Sequence, residues 1–422
     1  MDIELKYGHT HINFTIKDKN VLGVLELPKE NFNPIDPKTA LIEALNNPIG
    51  TKPLAELIKE KKPKQIAVIL EDITRPNHDY PQILSGLIEA LKTSGIKTAK
   101  FIIAYGTHRK MTPEECLKVY GAEVQAFGEL LHHSCDNKAS LAAIGKMSNS
   151  VMLEINKTVA ESDFIITTGN IEPHTFAGYG GGRKAILPGV SSRETITANH
   201  AQVTSDYACF GMLDKNPIHI GMLEAANLAA KGKTLFLMNL VRNDKKQLLK
   251  YFCGDLEKAF NAGVEFSQKT HTVPVNKLSD VTIVSSGGAP KDYNLYQAQK
   301  SINAAALVTR KSGTIVLTAQ CRDGAGQEIF ASWMQKYSID EILSKKEFEI
   351  EVEGHRAYLT AKILKDIEIL VISDMHCDKV KGMKFTYSQD INQALDYVTT
   401  KHGEDFKAYI IPNGAAILPK KV

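Results

Sequence analysis

Three histidines are the residues of this sequence best suited to do chemistry. His108 follows Gly106–Thr107, His174 follows Glu172–Pro173, and His200 closes the triplet Ala–Asn–His. An imidazole can take or donate a proton near neutral pH, and it is also a common ligand of transition metals. The three side chains therefore indicate acid–base catalysis, metal binding or both, although a lone histidine is more often structural or solvated.

A glycine-rich run precedes Lys184. Four of the five residues in 178–182 are glycine. Such a run has an entropic cost, so it predicts a backbone that passes close to a ligand or a nest of amides that binds an anion, with a surface linker as the alternative. Arg183 before the lysine and Ala185 after it do not fit a phosphate-binding P-loop. A missing final glycine likewise disfavours a nicotinamide dehydrogenase.

Two further segments group side chains that bind anions. A carboxylate, a hydroxyl and a guanidinium share one loop, at Asp72, Thr74 and Arg75. This guanidinium can fork onto a carboxylate or phosphate, and the alternative is a helix cap with a surface ion pair. In the second half, one face of a predicted helix start carries Tyr296, Gln297 and Lys300. Donors grouped there favour an anion, unless they form only an exposed polar turn.

Most of these clusters follow segments that predict buried strands. The apolar runs in question are Ile66–Leu70, Phe101–Ala104, Phe164–Ile166, Leu235–Val241, Val281–Val284, Ile315–Leu317, Ile369–Ile372 and Tyr409–Ile411. Amphipathic helices lie between them, such as Pro81–Ser94, and Thr112–Glu115 forms a capping box with proline at the first helical position. The alternation predicts an α/β fold with mostly parallel sheets and ligand sites at the carboxyl ends of strands.

The length of the chain predicts two α/β domains, because 422 residues exceed the usual size of one hydrophobic core. Alternating polar and apolar residues over 2–26 predict an opening antiparallel hairpin. The Pro-containing segment 270–275 predicts a boundary between an N-terminal domain, 1–269, and a C-terminal domain, 276–392. We expect residues 393–422 to pack back on the N-terminal domain, and the active site to lie in the cleft between the domains.

Composition excludes several classes of protein. A net charge of +3 without a basic stripe argues against nucleic acid as a partner, and no apolar stretch is long enough to span a membrane. The first residues do not form a signal peptide, so we expect a cytoplasmic protein. The six cysteines are scattered, which argues against a disulfide framework or a zinc ribbon.

Five motifs occur in order between Asp72 and His200. They are Asp-x-Thr-Arg-Pro, Gly-Thr-His-Arg, Glu-Pro-His, Gly-Gly-Gly-Arg-Lys-x-x-x-Pro-Gly and Ala-Asn-His. Together they resemble the nickel-dependent lactate racemase family, and the set is far more specific than any single member. The segments Gly-Gly-x-Pro, Tyr-Gln-x-x-Lys and Arg-Asp-Gly extend the likeness through most of the chain.

The resemblance implies a cofactor. In that family it is a pyridinium mononucleotide whose two sulfur atoms and ring carbon hold nickel. The N-terminal domain would bind it, with a thioamide link to Lys184 and His200 as the protein ligand of nickel. The residues implied to contact the nucleotide are Asp72, Thr74, Gly180, Gly181 and Gly182. Proteins that make the cofactor are implied as transient partners, whereas the oligomeric state is not implied.

The resemblance also implies a reaction, the inversion of C2 of a 2-hydroxy acid by a racemase or epimerase. By this resemblance His108 and His174 would stand on opposite faces of the substrate, and each would take the hydroxyl proton of one enantiomer while hydride leaves C2 for the cofactor. A planar 2-keto acid results, and hydride returned to the other face inverts the centre. The resemblance also implies that Arg75 and Lys300, helped by Tyr296 and Gln297, bind the substrate carboxylate.

Departures from the family pattern concern the substrate. Lactate-specific members carry aromatic side chains where this chain has Thr107 and His355, and its single tryptophan is Trp333. The smaller threonine and the polar segment Gly354–Arg356 predict a larger or more polar substrate, such as a sugar acid or a dicarboxylate.

Two other functions stay open. One is a nonenzymatic protein that binds the nickel cofactor, and the other is a zinc hydrolase, which the absence of His-x-x-x-His spacing disfavours.

Overall fold

The computed structural model describes residues 1–27, 35–75 and 78–421. Its strands are β1 Asp2–Tyr7, β2 Thr10–Thr15, β3 Val21–Val24, β4 Ile66–Glu71, β5 Lys100–Ala104, β6 Glu129–His132, β7 Leu141–Lys146, β8 Met152–Asn156, β9 Phe164–Asn170, β10 Pro173–His174, β11 Gly178–Tyr179, β12 Thr234–Arg242, β13 Leu248–Gly254, β14 Thr272–Val275, β15 Ser279–Ser285, β16 Thr309–Thr318, β17 Glu368–Ile372, β18 Thr386–Ser388, β19 Ala408–Ile411 and β20 Leu418–Lys421.

The helices alternate with these strands along the chain. They are α1 Pro37–Asn46, α2 Leu54–Lys61, α3 Tyr80–Thr93, α4 Pro113–Tyr120, α5 Ala122–Phe127, α6 Lys157–Glu161, α7 Arg193–His200, α8 Pro217–Ala230, α9 Leu256–His271, α10 Leu295–Ala306, α11 Glu328–Lys336, α12 Ile339–Ser344, α13 Gly354–Leu364, α14 Cys377–Gly382 and α15 Ile391–His402. In the part of the chain that the structure describes, none of these helices is long and apolar enough to cross a membrane.

The chain divides into two compact units. The middle unit comprises Glu30–Gln202 and Met212–Thr270. The terminal unit, which holds both chain ends, comprises Met1–Lys29, Val203–Gly211 and His271–Val422.

The middle unit is built on a sheet of strand order β13-β12-β9-β4-β5-β6. All neighbours are parallel except β13, which is antiparallel to β12. Ile66–Leu70 is buried at every position, so both faces of β4 are covered and the strand reads as a continuous apolar run. The chain adds β5 and β6 on one side of β4 and β9 on the other. The carboxyl ends of β4 and β9 therefore flank a topological switch point, where open α/β sheets bind ligands.

The terminal unit is built on a fully parallel sheet of order β18-β17-β16-β15-β19-β3. Its own switch point lies between β15 and β19. The β1–β2 hairpin predicted from residue alternation is confirmed, with Asp2 opposite Thr15 and Tyr7 opposite Thr10. Leu5 and Phe14 point from this hairpin into a core shared with Val316 of β16.

The predicted α/β fold with mostly parallel sheets is confirmed. Each of the eight apolar runs falls within a strand, and the helix predicted from Pro81 is observed from Tyr80 to Thr93. The capping box between Thr112 and Glu115 is also present. The sequence does not reveal β7 and β8, because their residues are partly exposed and carry no run of branched apolar side chains.

Both chain ends differ from the predicted domains. Residues 1–29 lie in the terminal unit, where β3 pairs with β19, and not with the rest of 1–269. Residues 393–422 also lie in the terminal unit, because β19 inserts between β15 and β3 and is buried at all four positions. These pairings join segments that are distant in sequence, so local patterns do not indicate them.

A buried polar network ties together the carboxyl ends of β4, β9 and β12. Arg242, at the end of β12, forms a bidentate ion pair with Asp79 at 2.5 and 3.0 Å. Its Nε donates to Asn170 Oδ1 at 3.1 Å, and Asn170 Nδ2 donates to Glu71 Oε2 at 2.6 Å. The network fixes the loops that leave three neighbouring strands.

Removing one charge of the buried pair tests this role. We expect Asp79→Asn to lower the free energy of unfolding by about 3 kcal/mol, because the guanidinium of Arg242 stays buried without its counter-ion. Glu404→Gln, in the exposed pair with Lys17, is the matched control and should leave stability nearly unchanged. Urea unfolding measures both. Equal effects of the two substitutions would contradict the account.

Candidate active site

The loops that follow β4 and β5 meet in a hydrogen bond between His108 and Asp72. The imidazole Nδ1 lies 2.7 Å from Asp72 Oδ2, and Asp72 Oδ1 accepts hydrogen bonds from the backbone N–H and the hydroxyl of Thr74 at 3.1 and 2.5 Å. Asp72 is buried, whereas the His108 side chain is 47% exposed. A histidine that donates Nδ1–H to a carboxylate presents Nε2 as an acceptor. His108 is thus oriented as a base.

The environment of Asp72 keeps its carboxylate ionised. Burial raises the pKa of this group, but the hydrogen bond and charge of His108, the Thr74 hydroxyl and the charge of Arg75 together outweigh burial and hold the pKa below its usual range. In the structure Asp72 is hydrogen-bonded to His108, and Thr74 donates a hydrogen bond to Asp72. This role differs from the predicted contact with a nucleotide. That contact stays a prediction.

His174 and His200 share a neighbour, the ring of Phe176. The ring centroid of Phe176 lies 4.7 Å from that of His174 and 5.1 Å from that of His200. His174 lies on the short strand β10, opposite Gly178, and His200 is the buried last residue of α7. The sequence motifs do not identify Phe176 as a site residue, because a lone aromatic side chain usually belongs to a core.

The hydrogen bonds indicate different tautomers for the two predicted bases. His174 Nδ1 accepts the backbone N–H of Ala177 at 3.3 Å, so the neutral ring carries its proton on Nε2. His108 carries its proton on Nδ1 and presents Nε2 as an acceptor. The two neutral imidazoles therefore differ at Nε2, which is a hydrogen-bond donor in His174 and an acceptor in His108.

The loop that carries Lys184 is bonded to its surroundings through the backbone. Lys184 N–H donates to Gly181 O at 3.1 Å inside a 3-10 turn over Gly182–Ala185. Gly182 N–H donates to the side chain of Asn239 on β12 at 2.5 Å. Five residues after the lysine, Gly189 O accepts the N–H of Gly106 at 2.9 Å, which joins this loop to the loop of His108.

Packing within the protein accounts for the glycine run. A Cβ at Gly181 would lie 2.6 Å from Asn239 Oδ1, one at Gly182 would lie 2.7 Å from the Phe260 ring, and one at Gly180 would lie 2.9 Å from a backbone oxygen. Gly181 and Gly182 also have positive φ angles of 71° and 55°. The surface-linker alternative is wrong, since Gly182 is buried. The Cβ direction of each of these glycines faces protein atoms, and contact of their backbone with a cofactor stays a prediction.

Arg183 is buried at the centre of the same loop. Its guanidinium donates to Ala177 O at 2.7 Å and to Gly181 O at 3.3 Å, and it lies 4.4 Å from the centre of the Phe260 ring. Burial lowers the pKa of Arg183 to about 9. In the described part of the chain no carboxylate pairs with it, so backbone carbonyls and an aromatic face replace a counter-ion.

The predicted substrate residues of the terminal unit lie on the first turns of α10. These are Tyr296, Gln297 and Lys300. The helix is capped by Asn294, whose side chain accepts the N–H of Gln297 at 2.9 Å. The neighbouring loop is bonded to the start of the helix, with Leu295 N–H donating to Gly324 O and Tyr296 N–H donating to Ala325 O, both at 3.1 Å.

A three-histidine zinc site is not formed. Among the described residues, one group of three His, Cys, Asp or Glu side chains has its ligand atoms within 4.8 Å of one another, and it is His376, Cys377 and Asp378. His108, His174 and His200 are not gathered in this way. The zinc hydrolase alternative therefore lacks the ligand set that it needs.

The donor set does fit the nickel nucleotide that the resemblance implies. The buried imidazole of His200 suits nickel, and the cofactor itself would supply the other ligands. Lys184 offers a primary amine on a loop whose backbone is fixed to β12 and to the His108 loop. The fit concerns the types of ligand and their rigid support.

Comparisons with known proteins agree with these features. The model of the lactate racemase N-terminal domain matches residues 7–211, and that of the C-terminal domain matches residues 275–418. The lactate racemase of Thermoanaerobacterium thermosaccharolyticum is 32% identical over 100% of this chain and 99% of its own length. The chain belongs to the lactate racemase family. Members of this family are isomerases.

Further relatives extend the likeness in sequence and in structure. The lactate racemase of Lactiplantibacillus plantarum is 31% identical over 99% of each chain. The solved lactate racemase apoprotein from T. thermosaccharolyticum superposes with a TM-score of 0.91 over the full length of both chains. A Thermotoga maritima protein, 18% identical, superposes with a TM-score of 0.67 over 92% of this chain and 100% of its own, which shows a shared fold alone.

Asp72→Asn tests the lowered pKa of the carboxylate that orients His108. Because the folded-state pKa lies below the ordinary 3.8, ionised Asp72 stabilises the folded protein above that pH, and this stabilisation is lost as the pH falls through the lower folded-state value. We expect the parent to be more stable than the variant near neutral pH, with a difference that shrinks in acid. Urea unfolding across the acidic range measures it. A difference that grows in acid would contradict the assignment.

Proposed function

We propose that this protein racemises a 2-hydroxy acid. The relatives to which it is similar are named lactate racemases, and lactate is a 2-hydroxy acid. The observation that carries the proposal is the pair of histidines held as different tautomers, His108 by Asp72 and His174 by the N–H of Ala177. Inversion of a carbon that bears a hydroxyl needs one group to take the hydroxyl proton and another to return it. The pair supplies both when one ring is neutral and the other is imidazolium.

The chemistry of the substrate favours oxidation and re-reduction at C2. The C2 proton of a 2-hydroxy acid is weakly acidic, because the neighbouring carboxylate is already anionic. When bound, the nickel nucleotide supplies a hydride acceptor for C2, and a planar 2-keto acid results. The residues of this chain then have to bind the acid, exclude water and move the hydroxyl proton.

His108 is the base for one enantiomer. Its Nε2 takes the hydroxyl proton, and Asp72 stabilises the imidazolium that forms across the 2.7 Å contact. His174, in its imidazolium form, gives one proton to the oxygen of the product and returns to the neutral ring. The roles exchange for the other enantiomer, so a single pair of histidines serves both directions.

Binding roles follow for the remaining residues. Lys184 holds the cofactor covalently, and His200 binds nickel beside the ring of Phe176. Asp72, Thr74 and the Gly180–Gly182 run are the further contacts proposed for the nucleotide. The substrate carboxylate is bound by Arg75, Tyr296, Gln297 and Lys300. Proteins that make and insert the cofactor are the expected transient partners.

Replacement of either histidine tests the proposal. We expect His108→Asn and His174→Asn each to lower the rate of lactate racemisation by about 100-fold or more, which is the usual contribution of a positioned acid or base. The assay uses holoenzyme produced together with the cofactor-making enzymes, and chiral chromatography follows both enantiomers.

The matched control is His376→Asn, which removes an exposed histidine of the terminal unit and should leave the rate unchanged. Folded holoenzyme that inverts neither lactate nor any other 2-hydroxy acid would sink the proposed function. Full activity in either active-site variant would remove the role of that histidine.

A further inference from the structure

One edge of the Arg356 guanidinium is fully engaged within the protein. Its Nη1 donates to the backbone oxygen of Tyr296 at 2.9 Å and to Gln299 Oε1 at 3.4 Å. The guanidinium carbon lies 4.2 Å from the centre of the Tyr296 ring. Arg356 is thus fixed against a residue proposed to bind the substrate carboxylate.

The unsatisfied donor of this guanidinium is Nε. Arg356 Nε is buried and has no hydrogen-bond partner. No carboxylate of the described residues forms an ion pair with this guanidinium, although exposed arginines of the chain such as Arg109 and Arg193 do have such partners. A buried donor without a partner is costly, so its retention indicates a ligand that completes it.

The geometry of the guanidinium selects the kind of ligand. Nε and Nη2 form a planar edge with two parallel N–H directions, which matches the two oxygens of a carboxylate. The neighbouring His355 does not compete for this role, since it is buried and its Nδ1 accepts the N–H of Glu353 at 3.1 Å. The polar chemistry of the Gly354–Arg356 segment therefore resides in Arg356.

We propose that Arg356 binds a second carboxylate of the substrate, so that the preferred substrate is a short 2-hydroxy dicarboxylic acid. This rests on the proposed function, in which Tyr296, Gln297 and Lys300 bind the carboxylate next to C2. Arg356 packs on the ring of Tyr296, and the distal carboxylate of a four-carbon acid is separated from the first by two carbon atoms. A monocarboxylic acid such as lactate leaves the Arg356 edge without a partner.

A natural optical reporter lies beside this segment. Trp333 is the single tryptophan of the chain, and a Cβ at Gly354 would lie 2.9 Å from its Cζ2 atom. Its fluorescence should respond when a ligand binds two residues away, at Arg356. Binding can therefore be measured on the protein without its cofactor.

The experiment titrates the cofactor-free full-length protein with malate and with lactate and records Trp333 fluorescence. We expect malate to bind at least about 10-fold more tightly than lactate, and Arg356→Met to weaken malate binding about 100-fold while lactate binding changes little. Arg356→Lys keeps the positive charge but loses the two parallel N–H donors of the guanidinium, so we expect a loss of malate affinity smaller than that in Arg356→Met.

The matched control is Arg322→Met. The guanidinium of Arg322 lies over the ring of Tyr293 at 3.6 Å, as that of Arg356 lies over Tyr296, but Arg322 is exposed. This variant should bind malate as the parent does. If Arg356→Met fails to fold, Arg356→Lys provides the test. A purely structural role of Arg356 would lower the affinities for malate and lactate by the same factor, whereas a carboxylate-binding role would lower the affinity for malate more.

Two results separate this proposal from the proposed function. Tight malate binding that depends on Arg356, in holoenzyme that inverts neither acid, would retain the carboxylate site and remove the racemase function. The opposite result has two parts: the holoenzyme racemises lactate with a higher kcat/KM than malate, and Arg356→Met binds each acid with the same affinity as the parent. That result would overturn the Arg356 proposal and leave the racemase function in place.

Discussion

The buried guanidinium of Arg183, which has no carboxylate partner among the described residues, shapes the middle unit around Lys184. Arg183 can stay charged in the interior only because the chain from Ala177 to Gly181 turns its carbonyls onto it, with Phe260 covering one face. That turn requires positive φ angles and close approach to Asn239, which only glycine permits. Because Lys184 directly follows Arg183, this turn also fixes the position of the Lys184 backbone.

The same loop transmits its position to the proposed acid and base. Gly189 holds Gly106, and two residues later His108 reaches Asp72. On the other side, β11 returns along β10 and sets His174 opposite Gly178. The polar network of Glu71, Asn170, Arg242 and Asp79 locks the strand ends from which these loops depart. Proton-transfer groups are thus held by backbone and buried charge, not by flexible side chains alone.

Sequence patterns predict the parts of this structure that depend on local forces. The buried strands are visible because strands covered on both faces must be apolar throughout, and the capping box at Thr112 is a local hydrogen-bond pattern. The motifs also indicate His108 and His174. Phe176, the orphaned edge of Arg356 and the placement of both chain ends in one unit are not predictable in this way, because each depends on contacts between distant segments.

The most direct test of the account is the intact mass and nickel content of the protein produced with the cofactor-making enzymes. The account predicts a covalent nucleotide adduct with nickel near equimolar to the chain, both absent from Lys184→Ala and both retained in Lys110→Ala, which removes an exposed lysine. Folded parent protein with neither adduct nor nickel, or an adduct that survives in Lys184→Ala, would contradict it.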